Sequence, residues 1–191
     1  MVISSSARQN AILRARQALS ARPVYLDTET TGLDPKDEIV EISIVDEDGS
    51  VLLEKFVRPS MPIPREATRI HGITDENVKS AMPWPILWRE VRPILAGRLI
   101  VIYNAEFDLR MMRQSMTKYR QPWNEKFDAF DLMKVYAEFR SEWDVKRQSY
   151  HYFSLDAAGK HARIALPNAH RATADSLLTR ALLHHIAEAQ A

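Results

Sequence analysis

The sequence predicts an α/β fold. Apolar runs too short for helices alternate with longer stretches in which apolar residues recur at helical spacing. Two of the short runs, 39–45 and 51–57, are joined across Asp48-Gly49, a dipeptide that favours a tight hairpin turn. Strands therefore follow one another early in the chain and alternate with helices later, which excludes an all-helical or an all-β fold.

Length and composition indicate one folded domain. A chain of 191 residues can bury a full core, and no Gly/Ser-rich linker, repeat or low-complexity stretch divides it. The absence of cysteine excludes disulfides and thiolate chemistry, and the cytoplasm is the default location. No apolar run approaches the roughly 18 residues that a membrane span needs.

A basic segment, residues 1–22, precedes the domain that we expect over residues 23–191. The segment has no acidic residue and has arginines at positions 8, 14, 16 and 22. Its composition faintly resembles a mitochondrial transit peptide. We favour instead an amphipathic helix that packs Ile12, Leu13 and Leu19 on the domain. Contact of this basic helix with nucleic acid is a further alternative, which the formal net charge of +1 supports little.

The first acidic motif is Asp27-Thr28-Glu29, directly after the apolar run 23–26 and before a turn-prone segment. Side chains two residues apart on a strand point to the same face. Asp27 and Glu29 can therefore bind one ion or bridge two. Taken alone, two carboxylates at a solvated strand end are ordinary.

The second acidic motif, residues 104–108, follows the apolar run 99–103. Asn104 is a favoured residue at a helix start, and apolar residues then recur at helical spacing, which places Asp108 in the first helical turn. It would project at the carboxyl edge of the sheet, where α/β folds place their sites. An acid in a first turn is also common for electrostatic reasons alone.

Two His-x-x-x-x-Asp spacings compete as a third motif. His151 and Asp156 belong to a stretch that resembles a capped helix start. Asp175 instead begins a long amphipathic pattern that would fix it against the sheet. We choose His170 and Asp175, with the histidine in the first turn or the preceding loop. The acids Asp128 and Asp131 are read as a turn and a helix cap.

These motifs together describe a site for two metal ions. Divalent ions about 3.5–4 Å apart can hold the attacking and leaving oxygens of an in-line phosphoryl displacement. Hard cations such as Mg²⁺ and Mn²⁺ prefer carboxylate oxygens. Hydrolysis of a phosphodiester is therefore the first hypothesis.

Four segments in this order carry a family resemblance. The chain resembles the DEDDh (DnaQ-like) 3′-to-5′ exonucleases, the group of the proofreading epsilon subunit of bacterial replicative polymerase, from about residue 23 to residue 186. The resemblance implies a ribonuclease-H-like fold, in which a central mixed five-stranded sheet is flanked by helices. The segments are 27–33 (DTETTGL), 71–74 (HGIT), 104–108 (NAEFD) and 170–175 (HRATAD).

The resemblance also implies roles for the acidic residues and the histidine. Asp27, Glu29, Asp108 and Asp175 would hold two Mg²⁺ or Mn²⁺ ions, with Asp27 between them. His170 would act as the general base that accepts a proton from the attacking water, since an ordinary histidine titrates near neutral pH. The product would be a nucleoside monophosphate.

A set of residues is expected at the end of the bound strand. By the same resemblance, Leu33 and Phe107 would pack against the terminal nucleotides, and the loop that begins at His71 would border their pocket. Thr30 and Asn104 are expected to contact the substrate with them. Core packing is the alternative role of Leu33 and Phe107.

Three functions are compatible with these motifs. The favoured one is a 3′-to-5′ exonuclease that prefers single-stranded DNA, with a DNA polymerase as a possible partner. An exoribonuclease of the same fold is the nearest alternative. A catalytically inactive module that binds nucleic acid is less favoured, because all four carboxylates and the histidine are present.

Overall fold

A computed structural model describes residues 2–164 and 170–190 of the chain. A large sheet with helices on both of its faces forms the body of this part, and a two-stranded hairpin lies outside the sheet. In chain order the elements are α1 (Val2–Ser20), β1 (Val24–Thr30), β2 (Ile39–Val45), β3 (Val51–Phe56), α2 (Arg65–His71), α3 (Asp75–Val78), α4 (Trp84–Leu95), β4 (Leu99–Ile102), α5 (Ala105–Lys118), β5 (Asp128–Asp131), α6 (Leu132–Arg140), β6 (Trp143–Asp144), β7 (Ser149–Tyr150), α7 (Leu155–Ala162) and α8 (Ala172–Glu188).

The large sheet has five strands in the order β3-β2-β1-β4-β5. The pairs β1–β2 and β2–β3 are antiparallel, whereas β4 is parallel to β1 and β5 is parallel to β4. This topology confirms the mixed five-stranded sheet and the hairpin across Asp48-Gly49. Because β1 pairs with β4 only at Val24 and Tyr25, its second half extends past the end of β4. The polar half of β1 is therefore open to the first turn of α5.

The alternation of side chains along β1 separates two apolar layers. Val24 and Leu26 pack with residues of α4 and α5 on one face of the sheet. Tyr25 packs with residues of α1, α6 and α8 on the other face. Asp27 and Glu29 continue the parity of Tyr25, so their side chains lie on the α8 side of the sheet.

Helix α1 is packed against α6 and α8. Ile12 is buried in this contact and Leu19 is partly buried, as predicted, but Leu13 is 55% exposed and that part of the prediction was wrong. Ala11, Ala15 and Ala18 are buried beside Ile12 in the same contact. Arg8 donates to the Phe139 carbonyl at the end of α6, at 3.1 Å. Among the described residues, no helix is both long and apolar enough to cross a membrane.

The prediction for the two aspartates near residue 130 was half right. Asp131 lies at the start of α6, and its side chain accepts a hydrogen bond from the Lys134 backbone, at 3.4 Å. Asp128, however, begins strand β5 and is not in a turn. It pairs with Leu99 of β4. A four-residue strand with polar ends has too little apolar pattern to be recognised without its partner strand.

Candidate active site

The carboxyl half of β1 presents two carboxylates to one face of the sheet. Asp27 and Glu29 are separated by Thr28, which points to the opposite face. Their strand is held on one side by the antiparallel pairing with β2, in which Asp27 lies opposite Ser43 and Glu29 lies opposite Glu41. The backbone positions of both acids are therefore fixed by a central strand of the sheet.

Asp108 reaches the same strand from the first turn of α5. It is buried, and its Oδ1 accepts hydrogen bonds from the Thr28 backbone N–H, at 3.0 Å, and from the Thr28 hydroxyl, at 2.7 Å. Asn104 precedes the helix, as predicted, but with a left-handed backbone (φ 71°) and no capping bond from its side chain. Asparagine tolerates this conformation better than most residues, and it lets the chain turn sharply from β4 into α5.

His170 and Asp175 come from the start of α8. His170 is exposed and has a left-handed backbone (φ 66°), and Asp175 lies in the first turn of the helix. This agrees with the predicted placement of the histidine before the helix. Carboxylate oxygens of Asp27, Glu29 and Asp175 lie within 4.8 Å of one another. The three form the acidic cluster, and Asp108 adjoins it through Thr28.

The acidic cluster has an electrostatic cost when no cation is present. Burial and the nearby carboxylates of Asp108 and Asp175 raise the pKa of Asp27 well above its usual range. Burial, followed by the charge of Asp175, raises the pKa of Glu29 to about 8. Burial also raises the pKa of Asp108 to about 7, although its two hydrogen bonds from Thr28 oppose the change. Carboxylate oxygens that share a buried space in this way suit a hard divalent cation, which would offset both costs.

A cleft of about 300 Å³ opens beside the cluster. Asp27, Asp175 and His170 line it together with the start of α7, including Asp156. The second His-x-x-x-x-Asp pair is thus split: Asp156 lies in the cleft, where it also binds Lys160 at 2.6 Å, while His151 is exposed and packs on Phe153. Sequence reasoning did not place Asp156 at the cleft, because the approach of α7 to α8 is a tertiary contact.

Glu41 and Arg171 form an ion pair behind the cluster that sequence reasoning also missed. Glu41, only 1% exposed, receives bonds from the Arg171 Nε at 3.1 and 3.2 Å, a further bond from Nη2, and the Ala172 backbone N–H at 3.0 Å. The pair joins β2 to the first residues of α8. The sequence did contain a sign of this ion pair, because Glu41 is a charged residue within the apolar run 39–45. Buried acids are rare unless they are paired.

The residues expected to contact the end of the bound strand differ in their burial and in their contacts. Leu33 is 74% exposed, so it is outside the core, whereas Phe107 is half-buried against the α4–α5 layer. His71 is buried, with Nδ1 accepting from the Ile73 N–H at 3.0 Å and Nε2 lying 3.2 Å from the Thr30 carbonyl. The structure therefore brings His71 and Thr30 together, with both nitrogens of the ring bonded to backbone.

A ribonuclease-H-like sheet with a carboxylate cluster beside its central strand defines the nuclease class. The chain belongs to the exonuclease family RNase_T, whose profile matches residues 24–183. The uncharacterized exonuclease CP81 of Escherichia phage 186 is 37% identical over 182 residues, which cover 92% of this chain and 93% of the phage protein. The DNA polymerase III epsilon subunit of Rickettsia typhi is 28% identical over 173 residues, which cover 87% and 72%.

Solved structures give the same result for the fold. Exonuclease X in complex with 5′-overhanging duplex DNA matches with a TM-score of 0.64 and 29% identity, covering 85% of this chain and 89% of the other. Escherichia coli exonuclease I bound to single-stranded DNA, in a zinc-containing crystal, matches with a TM-score of 0.66 and 20% identity. That match covers 84% of this chain and 39% of exonuclease I, and it bears on the fold alone. The predicted fold class and family are confirmed.

Proposed function

We propose that this protein is a divalent-metal-dependent 3′-to-5′ exonuclease that removes nucleoside monophosphates from DNA, preferentially single-stranded DNA. The acidic cluster is the observation that carries the proposal. Three carboxylates from β1 and α8 converge within 4.8 Å, and a fourth adjoins them. In a member of an exonuclease family, such a cluster is suited to bind the cations that act on a phosphodiester.

The acidic cluster and Asp108 share one task in this proposal. Asp27, Glu29, Asp108 and Asp175 would hold two Mg²⁺ or Mn²⁺ ions. Bound cations would supply charge neutralisation at the reacting phosphate. Asp108 is held in one orientation by Thr28, so its second oxygen remains directed away from those hydrogen bonds.

His170 is the proposed general base. It lines the cleft together with Asp27 and Asp175, and it is exposed to solvent. A neutral imidazole there would accept the proton of the attacking water and return it to solvent. The exposed position suits this role because it gives the accepted proton a direct route to solvent.

The strand end is proposed to lie between Leu33 and Phe107. Leu33 is 74% exposed in the segment that follows β1, so its side chain is free to contact a terminal nucleotide. Phe107 immediately precedes Asp108 in the chain and offers an aromatic surface to a base. Thr30 and His71, which are bonded to one another, would shape the turn that carries Leu33. Asn104 would act through the backbone turn into α5.

The relatives support the proposed preference for DNA. Exonuclease X was solved with DNA, and the Rickettsia relative is named as a subunit of a DNA polymerase. An exoribonuclease of the same fold is the alternative, because the carboxylate cluster acts on the phosphodiester and does not read the sugar. Substrate comparison decides between them.

Purified protein with Mg²⁺ or Mn²⁺ should be given matched 5′-labelled single-stranded DNA, duplex DNA and RNA. We expect a descending ladder of products from single-stranded DNA, its loss in EDTA, and its suppression by a 3′-3′ linkage at the end. Asp27→Asn should abolish the ladder, while Asp48→Asn, at the β2–β3 turn, serves as the matched control. Faster degradation of RNA would favour the alternative, and cleavage of a circular single strand at a similar rate would reveal an endonuclease.

A further inference from the structure

A groove of about 460 Å³ runs beside the site along one face of α5. Residues at helical spacing form one wall, and the segment between α5 and β5 forms the other. The lining residues are Glu106, Leu109, Arg110 and Arg113 on the helix, and Trp123, Glu125 and Phe127 opposite. Neither wall contributes a residue to the acidic cluster, so the groove is separate from the cleft that holds His170.

The groove has cationic groups that the protein itself does not neutralise. Arg113 is exposed, and in the part of the chain that the structure describes its guanidinium has no hydrogen bond or ion pair. The Glu125 carboxylate, by contrast, is bound by Arg92 of α4 at 2.8 Å. Glu106 is the remaining acid on the walls, at the end nearest to Asp108. Arg113 therefore contributes to the groove a positive charge with which no described carboxylate pairs.

Arg110 joins this groove to the residues proposed to hold the strand end. Its guanidinium lies over the Phe107 ring, 5.3 Å from the centroid, and donates to the Leu33 carbonyl at 3.4 Å. Arg113 is one helical turn further along the same face. At about 1.5 Å per residue, Arg113 is about 9 Å from Phe107 along the helix. That distance corresponds to about two to three nucleotides at the 3.4 Å rise of a stacked strand.

The opposite wall is aromatic and rigid. Trp123 packs against Trp88 of α4, with ring centroids 4.9 Å apart, and also against Phe127. A ring fixed in this way loses little further freedom when a base or sugar contacts it. Cationic groups on one wall and fixed aromatic rings on the other are the combination that sequence-independent grooves for single strands use.

We propose that this groove binds the nucleotides about two to three positions inward from the strand end, with backbone phosphates at Arg110 and Arg113 and a base or sugar against Leu109 and Trp123. The inference rests on the proposed function, since it takes the strand end to lie at Leu33. It adds a second contact region to the protein, one that holds the strand between successive cleavage events and takes no part in the chemistry.

Substrate length tests the groove separately from the catalytic site. Arg113→Ala should lower kcat/KM for a 12-nucleotide single strand about tenfold at low salt. Hydrolysis of the p-nitrophenyl ester of thymidine 5′-monophosphate, which has no inward nucleotides, should be unchanged. Arg89→Ala is the matched control, because Arg89 is an exposed arginine on α4 outside the groove. Arg113→Lys should restore most of the loss, because it keeps the charge.

Two further measurements exclude an indirect effect. In EDTA, where no cleavage occurs, fluorescence anisotropy should give a weaker Kd for Arg113→Ala with the 12-mer. The slope of log Kd against log salt should fall by about 0.7 for one lost phosphate contact on a single strand. An equal slope, or an equal loss on the short ester, would overturn the groove proposal. A wild-type protein that degrades neither substrate would instead overturn the proposed function.

Anisotropy with a duplex identifies which strand occupies the groove. If the inward part of the cleaved strand lies there, Arg113→Ala should weaken binding of the single strand and of a duplex with a frayed 3′ end alike. An effect confined to the duplex would overturn the proposal and assign the groove to the complementary strand.

Discussion

Removing Arg171 should destabilise the protein more than neutralising its partner Glu41, although both changes break the same ion pair. In Arg171→Ala, Glu41 keeps its charge at a position that is 1% exposed, and it retains only the Ala172 N–H as a partner. In Glu41→Gln, the Arg171 side chain is left without its carboxylate but is 40% exposed, so water can solvate it. The two single variants therefore differ in whether a charge stays buried.

The expected losses in the free energy of unfolding follow from this difference in burial. Losing one partner of a buried ion pair costs about 3–5 kcal/mol, and the exposure of Arg171 reduces this to about 2–3 kcal/mol. Glu41→Gln should cost about 0.5–1.5 kcal/mol, the net value of the lost hydrogen bonds. For a chain of this length, 1 kcal/mol shifts Tm by about 2–4 °C. Arg171→Ala should therefore lower Tm by about 4–12 °C.

The double variant gives the decisive test. Glu41→Gln combined with Arg171→Ala leaves no buried charge, so it should be more stable than Arg171→Ala alone. Thermal and urea unfolding of the wild type, both single variants and the double variant would form the cycle. Arg14→Ala, which breaks an exposed pair with Glu138, is the control and should change stability by less than about 1 kcal/mol. Additive losses in the double variant would refute the reasoning.

Three further outcomes are expected. His170→Ala should slow hydrolysis about 10²- to 10⁴-fold while His151→Ala stays within a few-fold of wild type, and the reverse ranking would reject the choice of His170. Thr28→Val should lower the rate of hydrolysis at neutral pH about tenfold, because Asp108 loses a hydrogen bond that stabilises its charged form. A pH–rate profile identical to that of the wild type would contradict this reason. Because the pKa of Glu29 is raised to about 8, the folded metal-free protein binds its proton more tightly than the unfolded chain. The stabilisation of the folded state by the Glu29 proton is complete below about pH 4 and is lost as the pH rises through about 8. The difference in Tm between the wild type and Glu29→Gln should change over the same pH range. A difference in Tm that does not vary with pH would argue against this prediction.

The sequence predicted what depends on local pattern. Asp27 and Glu29 share a face because β1 is a strand, and Asp108 lies in a first helical turn because α5 starts at once after β4. These features need only the periods of strands and helices. The first two acidic motifs lie at the ends of β1 and β4, and these strands are parallel. Both motifs therefore lie at the same edge of the sheet.

What could not be predicted depends on partners far away in the chain. Glu41 meets Arg171 across 130 residues, and no periodicity reports such a pairing. Leu13 is exposed although it belongs to an apolar pattern, because the face of α1 that meets α6 and α8 carries Ile12 and the alanines at 11, 15 and 18. Asp128 was taken for a turn because β5 gains its strand conformation from pairing with β4. The cleft position of Asp156 likewise depends on the packing of α7 on α8.

The contribution of α8 to the acidic cluster has a consequence during protein synthesis. Asp27 and Glu29 emerge from the ribosome early, but they lack the third carboxylate until Asp175 has been made and α8 has docked on β1 and β2. A nascent or truncated chain that ends before this helix lacks one of the three carboxylates of the acidic cluster. On the proposed assignment, the metal site is therefore complete only after α8 has docked on the sheet, whatever the state of the strands that carry Asp27 and Glu29.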